Sequence, residues 1–202
     1  MKSPFLAVVS RLRHVWRWSL MHNSRQENVQ EHSLQVAQIA HMLALIANEV
    51  HGQSIDQNKA AVIAMYHDAA EAVLGADIPT PSKYFSPEIL KAHRDMEFAA
   101  ESFLVDMLPE QVRGHMRPLI CHSSNDDERL AAIVKAADTI SAFLKCLEEL
   151  RGGNTEFESA KRSIEGKINR MIPDMPEVGT FLEWFESGFS KTVDVQMMAD
   201  RA

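Results

Sequence analysis

Cysteine occurs only twice in 202 residues, as Cys121 and Cys146. Two thiols so far apart build neither a disulfide framework nor a thiolate metal motif, so both are expected to pack as small hydrophobes in a reducing cytosol. Glycine and proline are scarce too, eight of each. The long Ala-, Leu-, Glu- and Lys-rich stretches between them favour an all-α fold. Also missing is any apolar run of the roughly eighteen residues that a membrane-spanning helix needs. The opening MKSPFLAVVSRLRHVW puts Lys2 before an apolar run, but that run stops at Val9 and Arg11, Arg13 and His14 follow. Such a run is too short for a secretion signal, and a cytoplasmic protein is expected. Positive charge is in deficit, 21 Lys and Arg against 28 Asp and Glu, for a formal net charge of −7. Broad electrostatic capture of polymeric nucleic acid or of an anionic membrane is thereby excluded.

What is present reads as helix after helix. Hydrophobic residues make up 46% of the chain, ample for a core, and nothing marks a second domain. One domain over residues 1–202 is expected, its end loosely held from about Thr192. Apolar spacing predicts a first helix over Pro4–Trp16 and a second from near Glu31 to Val50, with Val36, Ile39, Ala40, Leu43, Ile46, Ala47 and Val50 inward. A third is expected over Asn58–Leu74, capped by Asp56, stopped by Gly75, with Ala60, Ile63, Ala64 and Met65 inward. Pro87 opens a fourth, reaching about Leu108, with Leu90, Met96, Ala100, Phe103, Leu104 and Met107 inward. A short helical piece is expected between Pro109 and His122. A long helix should start at Asp126 or Asp127 and run to Arg151. Thr155 with Glu158 matches a capping box for a helix to about Ile172, and a last helix carries Val178, Phe181, Leu182, Phe185 and Phe189.

Ionisable groups interrupt these apolar faces. His32 lies one turn before Val36 on the inward stripe of the second helix. His67 and Glu71, four residues apart, continue the inner face of the third, with Asp68 beside them. Asp138 follows Val134 by four on the inner side of the long helix. A lone histidine on such a stripe is more often a satisfied core residue. Four intrusions together, each costly to bury without a partner, point instead to one divalent ion. Two imidazoles and two carboxylates suit a transition metal that keeps positions for water and substrate.

The pattern His32…His67-Asp68…Asp138 resembles the HD-domain metal-dependent phosphohydrolases. Within them, RWSLM with ENVQEHSLQVA, then HDAAE, DIPTPSKY and VKAADTISAFLKCLEEL, resembles the bacterial 5′-deoxynucleotidase family over about residues 11 to 151. The resemblance implies a single-domain HD-type helical bundle with an interior metal site. His32, His67, Asp68 and Asp138 would bind the metal, the two aspartates also facing the substrate. Arg17 would hold the 5′-phosphate and Trp18 would crowd the sugar's 2′ position. Glu71 would assist proton transfer, while Asp77, Ile78, Pro79 and Thr80 would line the sugar and phosphate site. The implied substrate is a deoxyribonucleoside 5′-monophosphate, and the implied assembly a homodimer, with the acidic, aromatic-bearing last helix as one candidate contact. Nitrogen and oxygen donors admit cobalt, manganese, iron or zinc, of which cobalt and manganese are expected.

Alternatives stand beside each role. Arg17 and Trp18 could merely end the first helix, Glu71 could orient a histidine ligand, and Asp77 could cap the turn before Pro79. Another HD activity on cyclic nucleotides or alarmones, or a non-catalytic nucleotide-binding module, is also compatible. Two departures from the family pattern are visible: Ser19 stands where proline usually follows the Arg-Trp pair, and LGAD is one residue longer than usual before Asp77. The other histidines, among them His41, His51, His93, His115 and His122, form no second cluster.

Overall fold

Helix α1 (Phe5–Val9) tightens into a 3-10 turn over Ser10–His14 in the computed structural model, which describes residues 2–121 and 127–198. The expected single helix to Trp16 is therefore shorter: Val15 is already extended, with φ −95° and ψ 115°. An irregular segment over 15–28 follows, closed by one antiparallel bridge between Trp16 and Asn28. Asn28 then caps α2 (Val29–Glu49), its side chain accepting from the Glu31 amide at 3.0 Å. The helix so begins two residues before the expected Glu31. Val50 ends it half exposed rather than inward.

The predicted helix over 58–74 is two helices. Asp56 caps α3 (Gln57–Tyr66) as expected, but a turn over 67–70 separates it from α4 (Glu71–Leu74). The cause is local. Ala69, Glu71 and Ala72 donate to carbonyls three residues back rather than four, while the His67 ring occupies the Ala64 carbonyl. In this tighter winding Met65 faces solvent, while Glu71 keeps Oε2 buried and stays close enough to Asp68 to feel its charge. Gly75 stops α4 at φ 76°, the left-handed conformation that glycine adopts at least cost.

Next come α5 (Thr80–Lys83), α6 (Pro87–Asp106) with Ser86 as its cap, and α7 (Glu110–Ile120). On α6, Ala100 and Leu104 are buried, but Met96 and Phe103 point outward. The inner face instead takes in His93, Glu101 and Val105. Asp127 caps α8 (Glu128–Arg151); Asp126 and His122 lie outside the described residues. Asn154, not Thr155, caps the 3-10 turn Thr155–Phe157 that leads into α9 (Glu158–Met171). The chain closes with α10 (Pro176–Phe185) and a short exposed α11 (Val193–Met198). Phe189, expected inward, is 44% exposed.

The main core lies between α2, α3, α8, α9 and α10, around Leu43, Leu130, Ile133, Ile140 and Phe157. Truncating one such buried leucine costs about 2–5 kcal/mol. A second core of Phe5, Leu104, Val105 and Ile120 fastens α1, α6 and α7. Between these cores the inner faces of α2 and α8 and the turn after α3 converge. No strand occurs among the described residues, and no described helix is long and apolar enough to cross a membrane.

Candidate active site

Three elements bring four donors together. Helix α2 presents His32, the turn after α3 presents His67 and Asp68, and α8 presents Asp138. The Asp68 Oδ2 atom is 3.1 Å from His67 Nε2 and 3.6 Å from His32 Nε2. The Asp138 Oδ1 atom is 3.2 Å from His32 Nε2. His32, His67 and Asp68 keep their ligand atoms within 4.8 Å of one another. Asp138 adjoins this triad through His32, its other oxygen held by Lys135 at 2.7 Å.

The outer nitrogens fix which way the rings face. His67 Nδ1 lies 2.7 Å from the Ala64 carbonyl, which can only accept, so Nδ1 carries the proton. The Ser141 hydroxyl donates to Gln35 at 2.6 Å, which leaves its oxygen to accept from His32 Nδ1 at 3.0 Å. Both Nε2 atoms are then lone-pair donors, buried and without a hydrogen-bond partner. Lone pairs aimed at carboxylate oxygens repel unless a proton or a cation lies between. Separations a little over 3 Å also match adjacent corners of a site with bonds of about 2.1 Å. The residues fit a divalent metal.

Arg17 is buried behind the aspartates. Its Nε donates to Glu27 Oε2 at 2.9 Å and its Nη1 lies 3.7 Å from Asp68 Oδ2. Burial works against its charge, but Asp68, Glu27, Asp138 and Asp77 outweigh that and hold the pKa above its ordinary value. Trp18 is the one non-glycine residue at positive φ among the described residues, φ 57°, and its ring packs on Phe157 at 5.2 Å. Asp77 stands close enough to Arg17, Asp68 and His32 to feel their charges. It is followed by half-buried Ile78 and Pro79 and by Thr80 at the exposed start of α5.

Burial lowers the pKa of His32, helped by Arg17. The same burial at His67 is outweighed by Asp68, which raises it. Glu71 is pushed up to about 10, first by burial and then by Asp68 and Asp77. In the metal-free protein it is a neutral acid at pH 7. Folded Glu71 thus retains a proton that the unfolded chain, at 4.5, has released. Its contribution to stability is lost progressively as pH rises from there toward 10. His67 acts in the same sense above 6.5, while the lowered His32 opposes only below 6.5. The melting temperature of chelator-stripped protein should therefore fall between pH 7 and 9, and Glu71→Gln should flatten that slope in thermal melts.

A cavity of about 460 Å³ opens beside the donors, with His67, Asp68, Asp138, Lys83, Glu97 and Lys135 in its wall. That volume suits a small ligand such as a mononucleotide. Sequence reasoning did not single out Ser141 and Gln35 as supports of His32, Glu27 as the anchor of Arg17, or Lys135 as the partner of Asp138. One signal was available: a serine and a lysine sit at helical spacing from Asp138, beside an otherwise apolar stripe.

An all-helical bundle that brings a His, a His-Asp pair and a distant Asp to one buried point has the arrangement expected from the resemblance to HD-domain phosphohydrolases. Residues 4–189 match the model of the YfbR-like 5′-deoxynucleotidases, and the chain belongs to that family. A protein of Vibrio cholerae named 5′-deoxynucleotidase is 45% identical over 194 residues, 96% of this chain and 97% of that one. The 5′-deoxynucleotidase YfbR of Escherichia coli strain K12 is 44% identical over 194 residues, 96% and 95% of the two chains. Among solved structures, an HD-domain phosphohydrolase from Listeria innocua superposes with a TM-score of 0.75 at 19% identity, covering 98% of this chain and 95% of that one. The cyanophage S-2L HD phosphohydrolase DatZ, bound to dA and one catalytic Zn2+ ion, has a TM-score of 0.63 at 20% identity, covering 92% and 96%. At those identities the likeness of structures speaks to the fold.

Proposed function

We propose that this chain hydrolyses deoxyribonucleoside 5′-monophosphates to deoxyribonucleosides and inorganic phosphate. The observation that carries the reading is the pair of buried, unpartnered Nε2 atoms of His32 and His67 facing Asp68 and Asp138, with Arg17 behind them. The names of the relatives supply the substrate class.

His32, His67, Asp68 and Asp138 would hold one divalent ion, cobalt or manganese before zinc or iron. When bound, such an ion lowers the pKa of a coordinated water toward roughly 7 and offsets charge on the phosphate. The planar fork of Arg17, its Nε held by Glu27, leaves Nη1 and Nη2 to bind phosphate oxygens and stabilise the charge that builds there. Water adds to phosphorus as the bond to the 5′-oxygen breaks, and the proton given up by water goes to the leaving oxygen. Glu71, beside Asp68 and Asp77, would relay it. Asp77 through Thr80 would line the sugar, and Trp18 would crowd a 2′-hydroxyl.

A homodimer would find a further contact surface on α6, besides the last helix. On α6, Ile89, Met96 and Phe103 are exposed at seven-residue spacing with Ala92 and Ala99 between them. A second copy laid across a two-fold axis would meet the same small-and-large pattern.

Phosphate release from dAMP, AMP and cyclic AMP, with and without chelator, tests the reading. Steady turnover of dAMP that exceeds AMP, spares cyclic AMP and stops on chelation is expected, from a species that sediments as a dimer. Hydrolysis of cyclic AMP alone, or nucleotide binding without turnover, would replace it.

A further inference from the structure

One strongly organised polar cluster lies outside the metal centre, at the far end of α8. Glu149 is fully buried, and its carboxylate accepts from five donors. The Ser24 amide reaches Oε2 at 2.9 Å, the Ser24 hydroxyl at 2.6 Å and the Asn154 side-chain amide at 2.8 Å. The Arg25 amide reaches Oε1 at 3.2 Å, and buried Lys145, one turn back on α8, donates to the same oxygen. Lys145 also donates to the Arg25 carbonyl. A buried carboxylate that receives a paired ammonium and four further donors keeps its charge without leaving any neighbour unsatisfied.

Three of the five donors, the Ser24 amide, the Ser24 hydroxyl and the Arg25 amide, belong to one feature, the irregular segment over 15–28, which Lys145 also holds through the Arg25 carbonyl. It carries Arg17 and Trp18 at its start and Glu27 at its end. Within it, the Trp18 carbonyl accepts from the Met21 amide and from Asn23, and the Arg17 amide donates to the Glu27 carbonyl. Asn154 also holds the His22 carbonyl, and Glu156 accepts from the His22 amide. Trp18 keeps its positive φ inside this frame, a conformation that an aromatic residue holds only where its surroundings impose it. A segment without helix or sheet has no ladder of its own, so Glu149 supplies the missing bonds.

We propose that Glu149, with Lys145, is a positioning residue for substrate: it fixes the segment that sets Trp18 against the sugar and Arg17 against the phosphate. This inference rests on the deoxynucleotidase reading for the roles of Arg17 and Trp18. Glu149 touches neither substrate nor metal ligands, and it acts through the segment alone.

Removing Glu149 by itself would strand the buried Lys145 charge and unfold the protein, so two gentler variants are used. Lys145→Met with Glu149→Gln removes both charges at similar volume and turns one acceptor oxygen into a donor facing other donors. Ser24→Ala deletes a single bond. Amide hydrogen exchange and the ratio of kcat/KM for dAMP over AMP are measured on the wild-type protein and on both variants, with metal content alongside. The double variant should exchange faster over residues 16–25 while α2 and α8 stay protected. Its ratio should fall about tenfold or more with metal content unchanged, since displacing a positioning element by about 1 Å is enough for such losses. Ser24→Ala should move both readings in the same sense by less. A merely destabilised protein would lower both rates alike and leave the ratio intact. An unchanged ratio in the double variant, whether or not the segment loosens, overturns the inference. A wild-type protein that never prefers dAMP would sink the functional reading instead, and the exchange data alone would then decide whether Glu149 holds the segment.

Discussion

Asp68→Ala should lower dAMP turnover by about a thousandfold or more and release the metal. Asp68 Oδ2 is the hub of the cluster, within 3.7 Å of both imidazoles and the Arg17 guanidinium at once. Burial alone would raise its pKa, but His67 and His32 outweigh that and hold it well below the ordinary carboxylate range. It is therefore held as the carboxylate at neutral pH, a ready anionic ligand. Losing it removes one donor and leaves Arg17 facing the imidazoles, so cation binding is penalised twice. The measurement is phosphate release beside elemental analysis of the same sample. A variant that keeps its metal and its rate would show that Asp68 is only a structural partner of His67.

Arg17→Lys should reduce kcat/KM for dAMP by about a hundredfold while the metal stays bound. Arg17 uses Nε to hold Glu27 and keeps its outer nitrogens for the aspartate side of the site. A lysine has one nitrogen for both tasks. Arg17→Ala should lose as much activity and also melt earlier, because Glu27, only 8% exposed, would lose its partner. Steady-state kinetics with thermal melts separate the two effects. Equal melting of both variants with unchanged kinetics would return Arg17 to a purely structural role.

Much of this architecture was legible because its signals are short-range. Asp56, Pro87, Asp127 and Gly75 mark helix ends by side chains and backbone geometry that act within a few residues. The inward stripes of α2 and α8 follow from the period of the helix. The convergence of His32, His67, Asp68 and Asp138 was legible because a charge on an apolar stripe contradicts that period. Less legible was whatever depends on contacts distant in sequence. The split after Tyr66 arises where a histidine side chain takes a backbone carbonyl, and a helical pattern carries no warning of it. Met96 and Phe103 satisfy helical spacing, yet the tertiary packing turns α6 toward His93 and Glu101. The Ser141–His32 and Glu149–Ser24 contacts join residues more than a hundred positions apart. The segment over 15–28 has no periodicity at all, and only the family resemblance assigned Arg17 and Trp18 their roles.

The most direct test is anomalous diffraction from crystals of the protein loaded with cobalt or manganese. One strong peak per chain is predicted, in contact with His32 Nε2, His67 Nε2 and oxygens of Asp68 and Asp138. A peak elsewhere, or none in protein that still turns over dAMP, would contradict the account.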